Sequence, residues 1–139
     1  MFYHVKVQFS SVNESGARIK EKHEVLVDNC KFFAEAEKKA LDEFIYAGVG
    51  DVEVTNMKRS NIMEFANSPQ GGNDKNIYTA TIVSIFVDEN GKDKETKYHV
   101  GVFAKSVNEA TSIVQQYMKI GLHGIRLISV KETKIESVL

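Results

Sequence analysis

Over the first strand-length of chain, apolar and polar positions alternate: Tyr3, Val5, Val7 and Phe9 are separated by His4, Lys6 and Gln8. A period of two places one set on each face of an extended backbone, so the pattern predicts a half-buried strand. Asn13-Glu14-Ser15-Gly16 supplies turn chemistry, with a glycine for a backbone at positive φ. Residues 17–28 return as a second strand, polar beside the turn and apolar at Val25-Leu26-Val27, which makes a long hairpin. The period then changes. Phe33, Ala36, Ala40, Leu41, Phe44 and Ile45 recur three or four apart within residues 33–47, with Glu35, Lys38, Lys39, Asp42 and Glu43 between them. This is one core-facing stripe on a helix, and Gly48 is placed to end it in a left-handed conformation. Residues 51–60 predict a third strand with Val52 and Val54 inward.

The same plan returns in residues 76–139. Tyr3 aligns with Tyr78, Val25 and Val27 with Val100 and Val102, Ala36 with Ala110, Gly48 with Gly121, and Lys58 with Lys131. The turn Asn13–Gly16 falls on Asp88-Glu89-Asn90-Gly91, and two single-residue gaps suffice for the whole alignment. Strands are expected over 77–87, 92–104 and 124–133, with a helix over 107–120. Ser106-Val107-Asn108-Glu109 reads as a capping box, which the first copy lacks because Phe32 stands at the serine position. Between the copies, Asn67-Ser68-Pro69-Gln70-Gly71-Gly72-Asn73-Asp74-Lys75 contains no apolar side chain other than its proline and reads as a linker.

An internal duplication of this kind defines the architecture. Each copy has three strands and one helix, too little to bury its own apolar face well. The expected fold is therefore α+β, a tandem ββαβ-ββαβ duplication in two layers related by a pseudo-twofold. Residues 1–66 form one repeat, 67–75 the linker and 76–139 the other. The alternative is two small three-stranded lobes that pair with a second chain. Ile82-Val83 and Ile85-Phe86-Val87 are apolar on both faces. That pattern predicts either a central strand or an oligomer seam, in which Val83, Ile85 and Val87 would be the contact residues.

Composition narrows the function classes. The 139 residues carry 18 Lys and Arg against 19 Asp and Glu, for a net charge of −1. This argues against a wholly basic, non-specific phosphate-binding surface but leaves room for a local patch. No apolar run approaches the roughly 20 residues that cross a bilayer. The alternating N-terminus lacks the charged start and apolar block of a signal peptide. The single cysteine, Cys30, forms no intramolecular disulfide and fits a reducing compartment. A soluble, cytoplasmic protein without contact to membranes is expected.

Catalytic and metal motifs do not emerge. Gly71-Gly72 has no strand before it and no Lys-Ser/Thr after it, so no phosphate loop is expected. His4, His23, His99 and His123 contain no i, i+4 pair, and surface roles for them outrank a metal site at His23 and His99. Cys30 aligns with Ala104, which favours a small apolar filler over a nucleophile. Asp42-Glu43 falls on the polar side of a helix and Asp88-Glu89 in a turn, which favours solvated carboxylates over paired acids in a cleft. No enzyme activity and no cofactor are expected.

The remaining signal is basic. Thr55-Asn56-Met57-Lys58-Arg59-Ser60 ends the third strand and aligns with the stretch containing Lys131, which Lys134 follows. Lys58, Arg59, Lys131 and Lys134, with Tyr3, Tyr78, Tyr98 and Tyr117 for stacking, make a candidate site for single-stranded DNA or RNA. The opposing reading is that lysines at strand ends keep edges soluble and unpaired.

The first strand and its polar hairpin, Glu35-Ala36-Glu37, and Val54-Thr55-Asn56-Met57-Lys58-Arg59 resemble a family of small proteins from Bacteroides-type gut bacteria and their phages, a domain of unknown function. The resemblance lies mainly in the first repeat and implies no activity. It implies a small binding protein, with nucleic acid or a host or phage protein as partner. Two function classes follow: a non-catalytic nucleic-acid-binding accessory protein, or a protein-interaction module or homodimer. A small-ligand binder or enzyme using a groove between the repeats stands behind both.

Overall fold

The computed structural model describes residues 2–46, 51–68, 75–119 and 125–139. Among these residues, two helices and two four-stranded sheets give the expected α+β class, with each unit a helix layer on a sheet layer. Elements run β1 (Tyr3–Val12), β2 (Arg18–Val27), α1 (Phe33–Tyr46), β3 (Glu53–Arg59), β4 (Ile62–Phe65), β5 (Asn76–Val87), β6 (Asp93–Ala104), α2 (Val107–Lys119), β7 (Ile125–Glu132) and β8 (Ile135–Val138).

The turns set the register. Asn13 Oδ1 accepts from the amides of Ser15 and Ala17, and Asp88 Oδ1 accepts from those of Asn90 and Lys92. Gly16 and Gly91 sit at φ of 82° and 75°, the left-handed conformation these loops need and that a Cβ disfavours. The result pairs Val12 with Arg18 and runs without slip to Tyr3 opposite Val27. In the second copy Val87 pairs with Asp93 and Asn76 with Ala104.

Short strands that the local pattern did not predict complete the sheets. One sheet has the order β3-β1-β2-β8 and the other β4-β6-β5-β7. Thus β4, at the end of the first repeat, lies parallel to β6 of the second, and β8, at the end of the second repeat, lies parallel to β2 of the first. The chain divides into one unit of Met1–Ser60 with Lys134–Leu139 and a second of Asn61–Thr133. Each unit is a sequence repeat completed by one exchanged strand. Ile62 and Ile135 anchor these strands as buried side chains, and each occupies the same repeat position.

In the first unit, Tyr3, Val5, Val7, Val25, Val27 and Cys30 pack under Ala36 and Ala40 of α1. The alanines let the helix approach the sheet closely. In the second, Tyr78, Ala80, Ile82, Val100, Val102 and Ala104 pack under Ala110 and Val114 of α2. Ser106 Oγ accepts from the Glu109 amide at 3.1 Å, and the Glu109 carboxylate accepts from the Lys105 amide at 3.3 Å. In α1 only the second half of this box survives, with Glu35 accepting from the Lys31 amide at 3.4 Å. The missing serine cap is worth about 1 kcal/mol. The expected helix end at Gly48, its counterpart Gly121 and most of the linker fall outside the described residues.

Asn67, the first linker residue, continues β4 with its side chain: Nδ2 donates to Phe103 O and Oδ1 accepts from Phe103 N, at 2.8 and 2.9 Å. Beside it the Phe65 ring lies over Gly101 and stacks on Phe103, with ring centroids 4.7 Å apart. A Cβ at Gly101 would run into that ring. Gly101→Ala is expected to destabilise the protein by about 1–3 kcal/mol in urea unfolding. With Phe65→Ala in the same chain, the total loss should be smaller than the sum of the two single changes. Strict additivity would mean that the ring does not set the requirement for glycine.

Candidate functional site

In β1 and β2 the odd-numbered residues face α1, so the even-numbered ones form the opposite face of the sheet. The register brings His4, Lys6, Gln8 and Ser10 of β1 beside Leu26, Glu24, Lys22 and Lys20 of β2, with Val12 beside Arg18 at the tip. On the other side of β1, Lys58 lies opposite His4 and Asn56 opposite Lys6, while Glu53 receives a 3.4 Å hydrogen bond from Gln8 Nε2. Lys6, Arg18, Lys20, Lys22 and Lys58 are all exposed. Along β2 the three cations stand at alternate positions, about 7 Å apart for an extended chain. The acids on this face are Glu24 and Glu53, and Glu24 is engaged by His4 Nε2 at 2.7 Å and Lys6 Nζ at 4.0 Å. The face is therefore a row of cations with hydroxyl and amide donors between them.

Beyond the point where β3 and β8 stop pairing, β1 and β2 continue as a two-stranded arm with no third strand among the described residues. In the second unit β5 and β6 continue past β7 and β4 in the same way.

The structure separates the residues expected to act together. Lys58 joins the cationic face, but its neighbour Arg59 lies opposite Tyr3 and takes the other face of β3. Lys134 precedes β8, at the sheet edge remote from β3, and Lys131 lies opposite Thr79 in the second unit. Tyr3 is fully buried, with its hydroxyl donating to Lys31 O at 3.0 Å and its ring edge-on to Phe33. Tyr78 is buried in the second core. Neither ring is open to a base, because both belong to the inward stripe of their strands. Tyr98 packs against the second core, and Tyr117 packs there too and donates to Glu64.

The expected contact strand divides in two. β5 is an internal strand, and Val83 on it is fully buried, which corrects its assignment as a contact residue. Ile85 and Val87 lie past the last β7 pair and are exposed, as is Phe86; Val87 is 64% exposed.

Cys30, His23 and His99 have structural partners, and His123 lies outside the described residues. Cys30 is buried, with Sγ 3.5 Å from Asp28 O. His23 Nδ1 lies 2.6 Å from Glu136 Oε2 and its ring stacks on Phe9. His99 Nδ1 lies 3.1 Å from Thr81 Oγ1. No described helix is long and apolar enough to cross a membrane.

A family model described as "Domain of unknown function (DUF4494)" matches residues 1–139. The chain belongs to the DUF4494 family. The match spans the whole chain, including β4 and β8, and is not confined to the first repeat. No curated protein matches this DUF4494 chain.

Lys6, Arg18, Lys20 and Lys22 are the residues that sequence reasoning passed over. The signal was present: once the turn at Asn13–Gly16 fixes the hairpin, the period of two puts all four on one face.

Burial holds the pKa of His4 below its ordinary 6.5; Glu24 pulls it up, and Lys58 and Lys6 push it down. A lowered folded-state pKa means that the unfolded chain binds the proton more readily. The stability from this group is full above about pH 6.5 and is lost as pH falls toward the folded value. Unfolding free energy measured between pH 7.5 and 5 should decline, and His4→Gln should flatten the decline. An unchanged slope in that variant would assign it to other groups.

Proposed function

We propose that this DUF4494 protein is a non-catalytic accessory protein of the cytoplasm that holds single-stranded DNA or RNA on the cationic face of the first sheet. One observation carries the reading: Lys6, Arg18, Lys20, Lys22 and Lys58 lie on one face of the sheet and are exposed, against two acids there, in a chain whose net charge is −1; the face is covered only at its far end, where Leu26 is buried. Phosphates are the groups such a row recognises, and charge there is locally concentrated although the whole chain is nearly neutral. With Tyr3 and Tyr78 in the cores, binding rests on backbone contacts more than on base stacking, so little sequence preference is expected. The resemblance to small proteins of Bacteroides-type bacteria and their phages supports the same class of function.

The test is fluorescence anisotropy with short single-stranded DNA, single-stranded RNA and duplex DNA over a salt series. Neutralising five phosphates predicts a log–log salt slope of about −3.5 on a single strand. Lys20→Ala with Lys22→Ala should reduce that slope by about 1.4 and weaken all sequences alike. Lys131→Ala with Lys134→Ala should change little. Flat curves with every nucleic acid at low salt would remove the reading.

A second reading is protein contact through the β5–β6 tip, favoured by the exposed run Ile85-Phe86-Val87. Ile85 and Val87 share one face of that arm, and contiguous exposed apolar surface marks interaction sites. Val87→Asp should abolish whatever association the chain shows in light scattering; association undiminished by it would count against the tip.

A further inference from the structure

The two arms have one backbone plan and, on the face away from the helix, side chains of opposite charge, although Glu14 and Glu21 of the first and Lys92 and Lys94 of the second offset part of each. On the face away from the helix, the first arm presents Ser10 beside Lys20 and Val12 beside Arg18. At the matching repeat positions the second presents Ile85 beside Glu95 and Val87 beside Asp93. Valine therefore stands at the tip of both, 66% exposed as Val12 and 64% as Val87, while Arg18 and Lys20 are replaced by Asp93 and Glu95. All four charged side chains are exposed and none is in an ion pair with a described residue. Along each strand the two charges are two residues apart, so their spacing matches at about 7 Å.

We propose that the partner of the β5–β6 tip is a second copy of this chain: the acidic arm of one copy lies face to face on the basic arm of another. Val87 and Ile85 meet Val12, and Asp93 and Glu95 meet Arg18 and Lys20. This rests on the second reading above and specifies its occupant. Apolar contact at the tips excludes water while the flanking charges set orientation and reject the like-charged pairing. Each copy carries one arm of each sign. Two copies therefore close a twofold dimer with two such contacts, or, where the rotation does not close, continue head to tail. Nucleic acid and the acidic arm compete for Arg18 and Lys20.

The experiment is sedimentation equilibrium of the full chain at about 0.1 M and about 1 M salt, across which the Debye length falls from about 10 to about 3 Å. Two variants are compared: Asp93→Lys with Glu95→Lys, which makes both arms basic, and Arg18→Glu with Lys20→Glu, which makes both acidic. Circular dichroism checks that each is folded. The wild type should associate at low salt and dissociate at high salt. Each variant alone should associate about tenfold or more weakly, and their equimolar mixture should recover. A wild type that stays monomeric at every concentration overturns the proposal, as does a mixture no tighter than its components. If Val87→Asp abolishes association but the mixture does not recover it, the tip is a contact and the charge pairing is wrong. Nucleic-acid binding by the Asp93→Lys, Glu95→Lys variant reports separately on the first reading.

Discussion

Everything proposed for this molecule depends on hairpin register. The side chains of Asn13 and Asp88 close their turns onto backbone amides, and Gly16 and Gly91 take the left-handed conformation that lets the chain return in line. A slip of one residue would turn a whole strand over. In the first sheet it would drive charged β2 side chains toward α1 and expose Val25 and Val27. Near the helix that error is strongly opposed, since it buries unpaired charge and exposes core. Out on the arms, past Phe9, no third strand among the described residues enforces the choice, so the turns carry most of the specification. The parts of the chain with the most suggestive surface are those whose geometry depends most on two short loops.

Much of the fold was legible because its signals are local. Alternation over Tyr3–Phe9, the turn residues and the Phe33–Ile45 stripe each describe their own segment, and the duplication repeats them. β4 and β8 were not legible for the opposite reason. Four residues after a two-residue link look like the frayed end of the preceding strand. Nothing within Ile62–Phe65 states that its partner is β6, some forty residues later. The exchange is a pairing with a strand remote in sequence, a tertiary fact.

The candidate site was half legible, and its errors have a common cause. Lys58 and Arg59 are adjacent in sequence, yet a strand sends neighbours to opposite faces, so only Lys58 joins the cationic row. Tyr3 and Tyr78 belong to the same inward stripes that define the cores, which makes them unavailable for stacking. Val83 was paired with Ile85 and Val87 by their shared face, yet along that face Val83 is buried while Ile85 and Val87, past the end of β7 pairing at Ser84, are exposed. Periodicity gives the face of a side chain. It does not say how far along the strand that face is covered.

Comparison of the two units shows where the duplicated scaffold tolerates change. Inward positions stay apolar, as in Val25 and Val27 against Val100 and Val102, or Ala36 against Ala110. Packing at interior density penalises alteration there. Outward positions on the arms are exposed and carry no such penalty, and there they have diverged from Arg18 and Lys20 to Asp93 and Glu95. Summed over the chain these charges cancel, so the near-zero net charge hides two arm faces of opposite sign. A nearly neutral protein assembled from two differently charged copies of one unit has the means to hold an anion at one arm and a cationic surface at the other. Composition alone would have assigned it neither.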